Sequence, residues 1–132
     1  MNVIICLDDK NGIQFNHRRQ SRDQAVCDRM LELAKDSALW MDEYSAKMFP
    51  AGQVKVAQDF LQKAGPGEYC FVENDTFLRH YDKVEKVIVY RWNKVYPADM
   101  KIESSFFDRK NLAQKCDFAG NSHEKITEEI YQ

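Results

Sequence analysis

Residues 67–91, GEYCFVENDTFLRHYDKVEKVIVYR, constrain the fold more than any other stretch. Two apolar runs, Tyr69–Val72 and residues 84–90, are rich in β-branched and aromatic side chains. A segment of about three helical turns separates them, and Pro66 and Gly67 place a turn ahead of the first run. Strand, short helix, strand is the repeating unit of an α/β sheet. Residues 3–7, VIICL, add a continuous apolar run of strand length, as expected for a strand buried on both faces.

The remaining elements follow from local signals. Residues 8–16, DDKNGIQFN, read as a turn-rich loop around Asn11-Gly12. Ser21 with Gln24 three residues on forms a capping box, which predicts a helix starting near Arg22 and running to about Lys35. Val26, Cys27, Met30, Leu31, Leu33 and Ala34 give that helix one apolar face. Residues 37–41 predict a strand and residues 43–49 a short helix ended by Pro50 and Gly52. A brief strand over 53–57 and a helical turn over 59–64 precede the central unit. After it come a loop over 92–99, an extended piece over 100–102 and a strand over Leu112–Phe118. In residues 122–132, Ile126 and Ile130 behind Ser122 fit a capped helix as well as a strand.

A chain of 132 residues fits one domain spanning residues 1–132, large enough to bury about two-thirds of its unfolded surface. With 44% hydrophobic and 30% charged residues it is not a disordered chain. No apolar run reaches the roughly 18 residues of a membrane span, so no membrane partner is expected. MNVIICLDD has no basic segment before its apolar run and reads as a strand rather than a signal peptide. Cys6, Cys27, Cys70 and Cys116 lack C-x-x-C spacing, which predicts reduced thiols and a cytoplasmic location. Cys6 and Cys70, inside strand patterns, are expected as small buried hydrophobes. A formal charge of −2 leaves nucleic acid as a partner only through a local basic loop.

That loop is His17, Arg18, Arg19 and Arg22, just ahead of the first helix. Cations beside free helix N–H groups suit an anion such as a phosphate, a nucleotide or an RNA backbone. The same residues also suit a solvated loop paired to Asp8, Asp9 or Asp23. Glu73 and Asn74, at a strand end, are placed to line a crevice; alternatively Asn74 or Asp75 simply caps the next helix. Trp92, Tyr96 and Phe15 either stack on a base or pack loops onto the core. His17, His80 and His123 have no zinc-ligand spacing, so no metal is predicted from them.

Several stretches carry a resemblance. Asp9-Lys10-Asn11-Gly12-Ile13-Gln14 follows the first strand. Asp23 and Ser21 fall where a W-x-x-P-x-D stretch would open the first helix, with Arg18 at the tryptophan position and Asp28 a rival for the carboxylate. SALWMDEYSAKMF lies where V-I-M-G-R-K-T-x-E-S would stand. EYCFVENDTF answers to E-V-F-V-I-G-G, Tyr96-Pro97-Ala98-Asp99 to G-D-T-x-F-P, and Glu129-Ile130-Tyr131 to a last strand ending near Y-x-R. In that order they resemble a shortened, divergent dihydrofolate reductase. The resemblance implies an α/β fold with a reduced, mostly parallel sheet flanked by short helices. It also implies an antiparallel C-terminal strand, in preference to a helix.

The departures bear on function. Glu73 and Asn74 replace the family's paired glycines, which let the backbone approach a pyrophosphate. Asp42 and Glu43 stand where a cation and a helix N-terminus would hold cofactor phosphates. Ser45 and Glu68 are about 23 residues apart, a shorter stretch than the family uses around the adenosine half. No cofactor is therefore expected, and NADPH is disfavoured. The expected role is a non-reductase binding module for a small anionic ligand, or for a protein partner on the flattened face left by the missing cofactor subdomain, with a homo-oligomer left open. Two enzyme readings stand beside it. One is a residual pterin or folate reductase with Asp23 as the ring-holding carboxylate. The other is a phosphoester hydrolase or ribonuclease with Mg²⁺ on Asp8, Asp9 and Asp23.

Overall fold

Alternation within β1 (Asn2–Leu7) creates the two sides of the molecule. Val3, Ile5 and Leu7 enter one apolar cluster and Ile4 the other, because successive strand side chains point to opposite faces. In the computed structural model, which describes residues 1–132, the chain continues through β2 (Gly12–Phe15), β3 (Arg18–Arg19) and α1 (Gln24–Leu33). It then forms β4 (Leu39–Met41), α2 (Glu43–Ala46), β5 (Lys55–Val56), α3 (Phe60–Lys63) and β6 (Tyr69–Val72). A 3₁₀ segment, Thr76–Lys83, kinked at His80, leads into β7 (Lys86–Arg91). Next come β8 (Met100–Lys101), a second 3₁₀ segment (Ser104–Arg109), β9 (Leu112–Phe118) and β10 (Ile126–Tyr131).

Seven strands form one sheet in the order β5-β4-β6-β1-β7-β10-β9. The first five pair in parallel, with Ile4 opposite both Phe71 and Ile88; β10 runs antiparallel to β7, and β9 antiparallel to β10. The expected mostly parallel α/β sheet with an antiparallel C-terminal strand is thus the observed fold. Both faces of its parallel part are covered, as a parallel sheet requires. Val26, Cys27 and Met30 of α1 pack on one face with Ile4, Phe71 and Ile88. Phe60, Phe77 and Phe106, from α3 and the two 3₁₀ segments, pack on the other. No helix is long and apolar enough to cross a membrane.

Three expectations are corrected. Residues 8–16 are not all loop: β2 pairs antiparallel with β3 and β8 in a small second sheet. The first helix starts at Gln24 and is capped by Asp23, whose carboxylate accepts from the Ala25 N–H. Ser21 cannot cap it, because its hydroxyl bonds His123 instead. Cys6 is only half-buried, whereas Cys70 is buried as expected; all four cysteines are free thiols.

Candidate functional site

Asp8, Asp42, Glu73 and Trp92 each follow the carboxyl end of a parallel strand, namely β1, β4, β6 and β7. Open α/β sheets present their ligand crevices at such ends. Here a cleft lies between Cys6, Val26, Met30, Met48, Phe71 and Trp92, with Arg19, Ser21, Arg22, Asp23 and Glu73 at its polar rim. Its cavity volume is about 20 Å³, room for about one water.

The Glu73 end of the cleft is closed by an ion pair. Arg19 Nε and Nη2 donate to the two carboxylate oxygens of Glu73 at 2.7 and 2.9 Å, and Ser45 Oγ donates to Oε2 at 2.7 Å. The guanidinium also lies 4.3 Å from the centre of the Tyr44 ring. Burial works against the Arg19 cation, but the hydrogen bonds and charge of Glu73 outweigh it and hold its pKa above the ordinary value. Asn74 Oδ1 accepts from the Thr76 N–H at 3.0 Å and from the Thr76 hydroxyl at 2.6 Å, and the residue lies on the wall of a neighbouring shallow cleft. Asp42 caps α2 by accepting from the Ser45 N–H at 2.8 Å. The same shallow cleft is lined by Asp42, Glu73 and Asp75 against Arg19 and His17, so acids outnumber permanent cations.

Asp23 is 3% exposed and its carboxylate is committed to the chain itself. Oδ1 accepts from the N–H groups of Ala25 and Asn121 at 2.9 and 2.8 Å. Oδ2 accepts from the N–H groups of Ser122 and His123 at 2.9 and 3.1 Å, from Ser122 Oγ at 3.2 Å, and meets His123 Nδ1 at 2.8 Å. Burial alone would raise its pKa, but the Asn121, His123, Ser122 and Ala25 donors together hold it far below the usual carboxylate range. The 120–123 loop wraps this oxygen pair closely. A Cβ at Gly120 would lie 2.5 Å from the His123 carbonyl oxygen and 2.8 Å from Asp23 Oδ2. Gly120→Ala is expected to cost about 1–3 kcal/mol, read as a lower urea midpoint with an unchanged slope.

Of the basic loop residues, Arg19 alone is held by an ion pair, to Glu73. Asn16 and His17 form a left-handed turn between β2 and β3, with φ of 53° and 61°. His17, Arg18 and Arg22 are exposed, and neither Arg18 nor Arg22 is paired with a carboxylate. Asp8 is occupied by the N–H groups of Lys10, Gly12 and Tyr96 and by Gln20 Nε2. Asp8, Asp9 and Asp23 form no cluster of three metal-binding side chains. Asp28 is exposed and accepts from Gln24 Nε2. Trp92 is buried and stacks on the His123 ring, centroids 4.7 Å apart, whereas Phe15 is exposed.

His123, Ser21 and Tyr96 meet at the other polar end of the cleft. Ser21 Oγ lies 2.9 Å from His123 Nε2, and Tyr96 Oη lies 3.1 Å from Nε2 and 3.5 Å from Ser21 Oγ. Sequence reasoning assigned Ser21 to a cap and His123 to no site. The only local signal was Ser21 and Asp23 two residues apart; the histidine joins them from 100 residues further on.

The order of the sheet strands and the cleft at their carboxyl ends define a domain with the dihydrofolate reductase fold. Among solved structures, the chain is similar to the dihydrofolate reductase of Enterococcus faecalis complexed with NADP(H) and RAB-propyl. That similarity has a TM-score of 0.71 at 9% identity, over 99% of this chain and 94% of that one. No protein-family model matches the sequence. No curated protein matches it either.

Proposed function

We propose that this chain is a non-reductase binding module that does not use NADPH and takes a small anionic ligand through Arg18 and Arg22. The observation that carries the reading is the Arg19–Glu73–Ser45 cluster at the carboxyl end of β6. A pyrophosphate there would need bare backbone and spare donors. It would meet instead a carboxylate whose neutralising arginine is already engaged, with Asp42 and Asp75 nearby. The Enterococcus protein is described with NADP(H), and shared fold alone does not transfer that ligand. Pterin binding is disfavoured on separate grounds. Asp23 has its lone pairs filled by the 120–123 loop, and the cleft has space for about one water.

Arg18 and Arg22 are the cations left free for an anion, Arg22 at the cleft rim. Thermal-shift titrations test both halves of the proposal. Inorganic phosphate, pyrophosphate, nucleotides and short RNA are expected to include one ligand that raises Tm saturably. At ten times Kd the gain is about 1.4 kcal/mol, and Arg18→Ala/Arg22→Ala abolishes it. NADPH up to millimolar concentration is expected to leave Tm unchanged, and also the intrinsic tryptophan fluorescence once light absorbed by NADPH is corrected for. A saturable NADPH response would refute the reading.

A further inference from the structure

We propose that Ser21, His123 and Asp23 form a nucleophilic triad that cleaves esters of short, apolar acyl groups. This goes beyond the binding proposal and does not depend on it, since no anion and neither Arg18 nor the Arg22 side chain is required. The geometry is that of an activated hydroxyl: Ser21 Oγ to His123 Nε2 is 2.9 Å and His123 Nδ1 to Asp23 Oδ2 is 2.8 Å. Nucleophile, base and orienting carboxylate are thus in hydrogen-bond contact, the arrangement by which a serine is activated on unrelated folds.

The roles follow from burial and partners. Asp23 is held ionised by four backbone N–H donors, so Nδ1 carries the proton it donates to the carboxylate and Nε2 presents its lone pair to Ser21. Trp92, stacked on the imidazole, fixes the ring plane. The Tyr96 hydroxyl shares the Nε2 lone pair at 3.1 Å and lies 3.5 Å from Ser21 Oγ, so once Nε2 takes the serine proton it is free to donate to an oxyanion forming on an attached carbonyl carbon. The Arg22 N–H, next along the chain, donates to no group of the protein and is a second candidate donor. Ser21 opens onto the apolar cleft of Val26, Cys27, Met30 and Phe71, whose volume, room for about one water, fits the methyl of an acetyl group with its carbonyl left at the rim and excludes longer chains. The thiols there are poor competitors, because burial pushes Cys27 up to about 11 and Cys6 well above its usual value.

In the reaction, Ser21 Oγ bonds to the ester carbonyl carbon as its proton passes to His123 Nε2, giving a tetrahedral oxyanion. The carbon–oxygen bond to the alcohol then breaks, and the alcohol leaves with the proton from Nε2. Water attacks the acyl-serine in the same way, losing a proton to Nε2. The serine is released with that proton, and the carboxylic acid departs.

The test uses the full chain with a fluorophosphonate probe and with p-nitrophenyl acetate. Peptide mapping is expected to place a single phosphonyl adduct on Ser21. Turnover of the acetate ester is expected to fall about 10²-fold or more in Ser21→Ala, and to exceed that of the octanoate ester in wild type. Tyr96→Phe should lower kcat about tenfold with KM little changed, because its hydroxyl acts on the oxyanion. No adduct on Ser21 after prolonged exposure to millimolar probe would overturn the proposal whatever the variants do. A turnover in folded Ser21→Ala within about twofold of wild type would do the same.

Discussion

Asp23→Ala is expected to be the most damaging single substitution in this chain, costing about 3–5 kcal/mol. The carboxylate gathers the N–H groups of Ala25, Asn121, Ser122 and His123, with the Ser122 hydroxyl and the His123 ring, around two oxygens. Deleting it strands several buried donors, each costing about 1–3 kcal/mol where water cannot reach. It also removes the cap of α1, worth about 1 kcal/mol more. Water entering the vacated space recovers some of this, so the sum of the single costs is an upper bound. The total remains comparable with the whole stability of an ordinary domain. For a chain of this length Tm should drop by about 10–20 °C. Differential scanning calorimetry checks this, and a drop below about 4 °C would mean that the 120–123 loop is held by other contacts.

The same carboxylate predicts the acid limb of stability. Its pKa is depressed in the folded state, so its contribution is fully present above the unfolded value of about 3.9 and is lost as pH falls toward the folded value. In Asp23→Ala that acid-dependent loss should be reduced, and the two stability curves should converge below pH ~3.

What the sequence made legible was whatever its local chemistry decides. The β-branched runs at Tyr69–Val72 and at the chain start lie in the sheet as expected, and β1 lies between β6 and β7. The C-terminal ambiguity has a simple physical origin. Ile126 and Ile130 share a face in a helix because four residues make about one turn, and in a strand because four is an even number. Only the antiparallel pairing with β7 and β9 decides between them. The start of α1 was misplaced because Ser21 satisfies the capping pattern locally while its hydroxyl is claimed by a histidine 102 residues away. Likewise Arg19 and Glu73 were each singled out, one as an anion ligand and the other as an obstacle to one. Their separation of 54 residues hid that each neutralises the other. Chemistry assembled across strands is not written in any window of the chain.

Arg29→Ala should produce the second large effect, and one with a distinctive pH dependence. Glu128 is 4% exposed on β10 and is held by Arg29 through Nε and Nη2 at 2.8 and 3.0 Å and by the buried Tyr90 hydroxyl at 2.9 Å. Burial pushes its pKa up, but the hydrogen bonds of Arg29 and Tyr90 and the arginine's charge more than compensate and hold it below the usual value. Without Arg29, burial of the carboxylate is opposed by Tyr90 alone, and the folded pKa should rise above the unfolded one. A buried carboxylate stripped of its cation costs about 3–5 kcal/mol when fully enclosed. The partly exposed arginine side implies water access, which places the expected loss at about 2–3 kcal/mol at pH 7. The sign then reverses with acidity. In wild type Glu128 contributes stability above pH ~4.3 that is lost on acidification; in the variant a raised folded pKa makes stability fall as pH rises through it. The gap between the two proteins should therefore be widest near neutrality and narrow by at least about 1 kcal/mol near pH 4.5. Urea unfolding at both pH values measures it. A gap independent of pH would assign the role of Arg29 to packing against Phe118, whose ring centre lies 5.8 Å from the guanidinium carbon, rather than to neutralising Glu128.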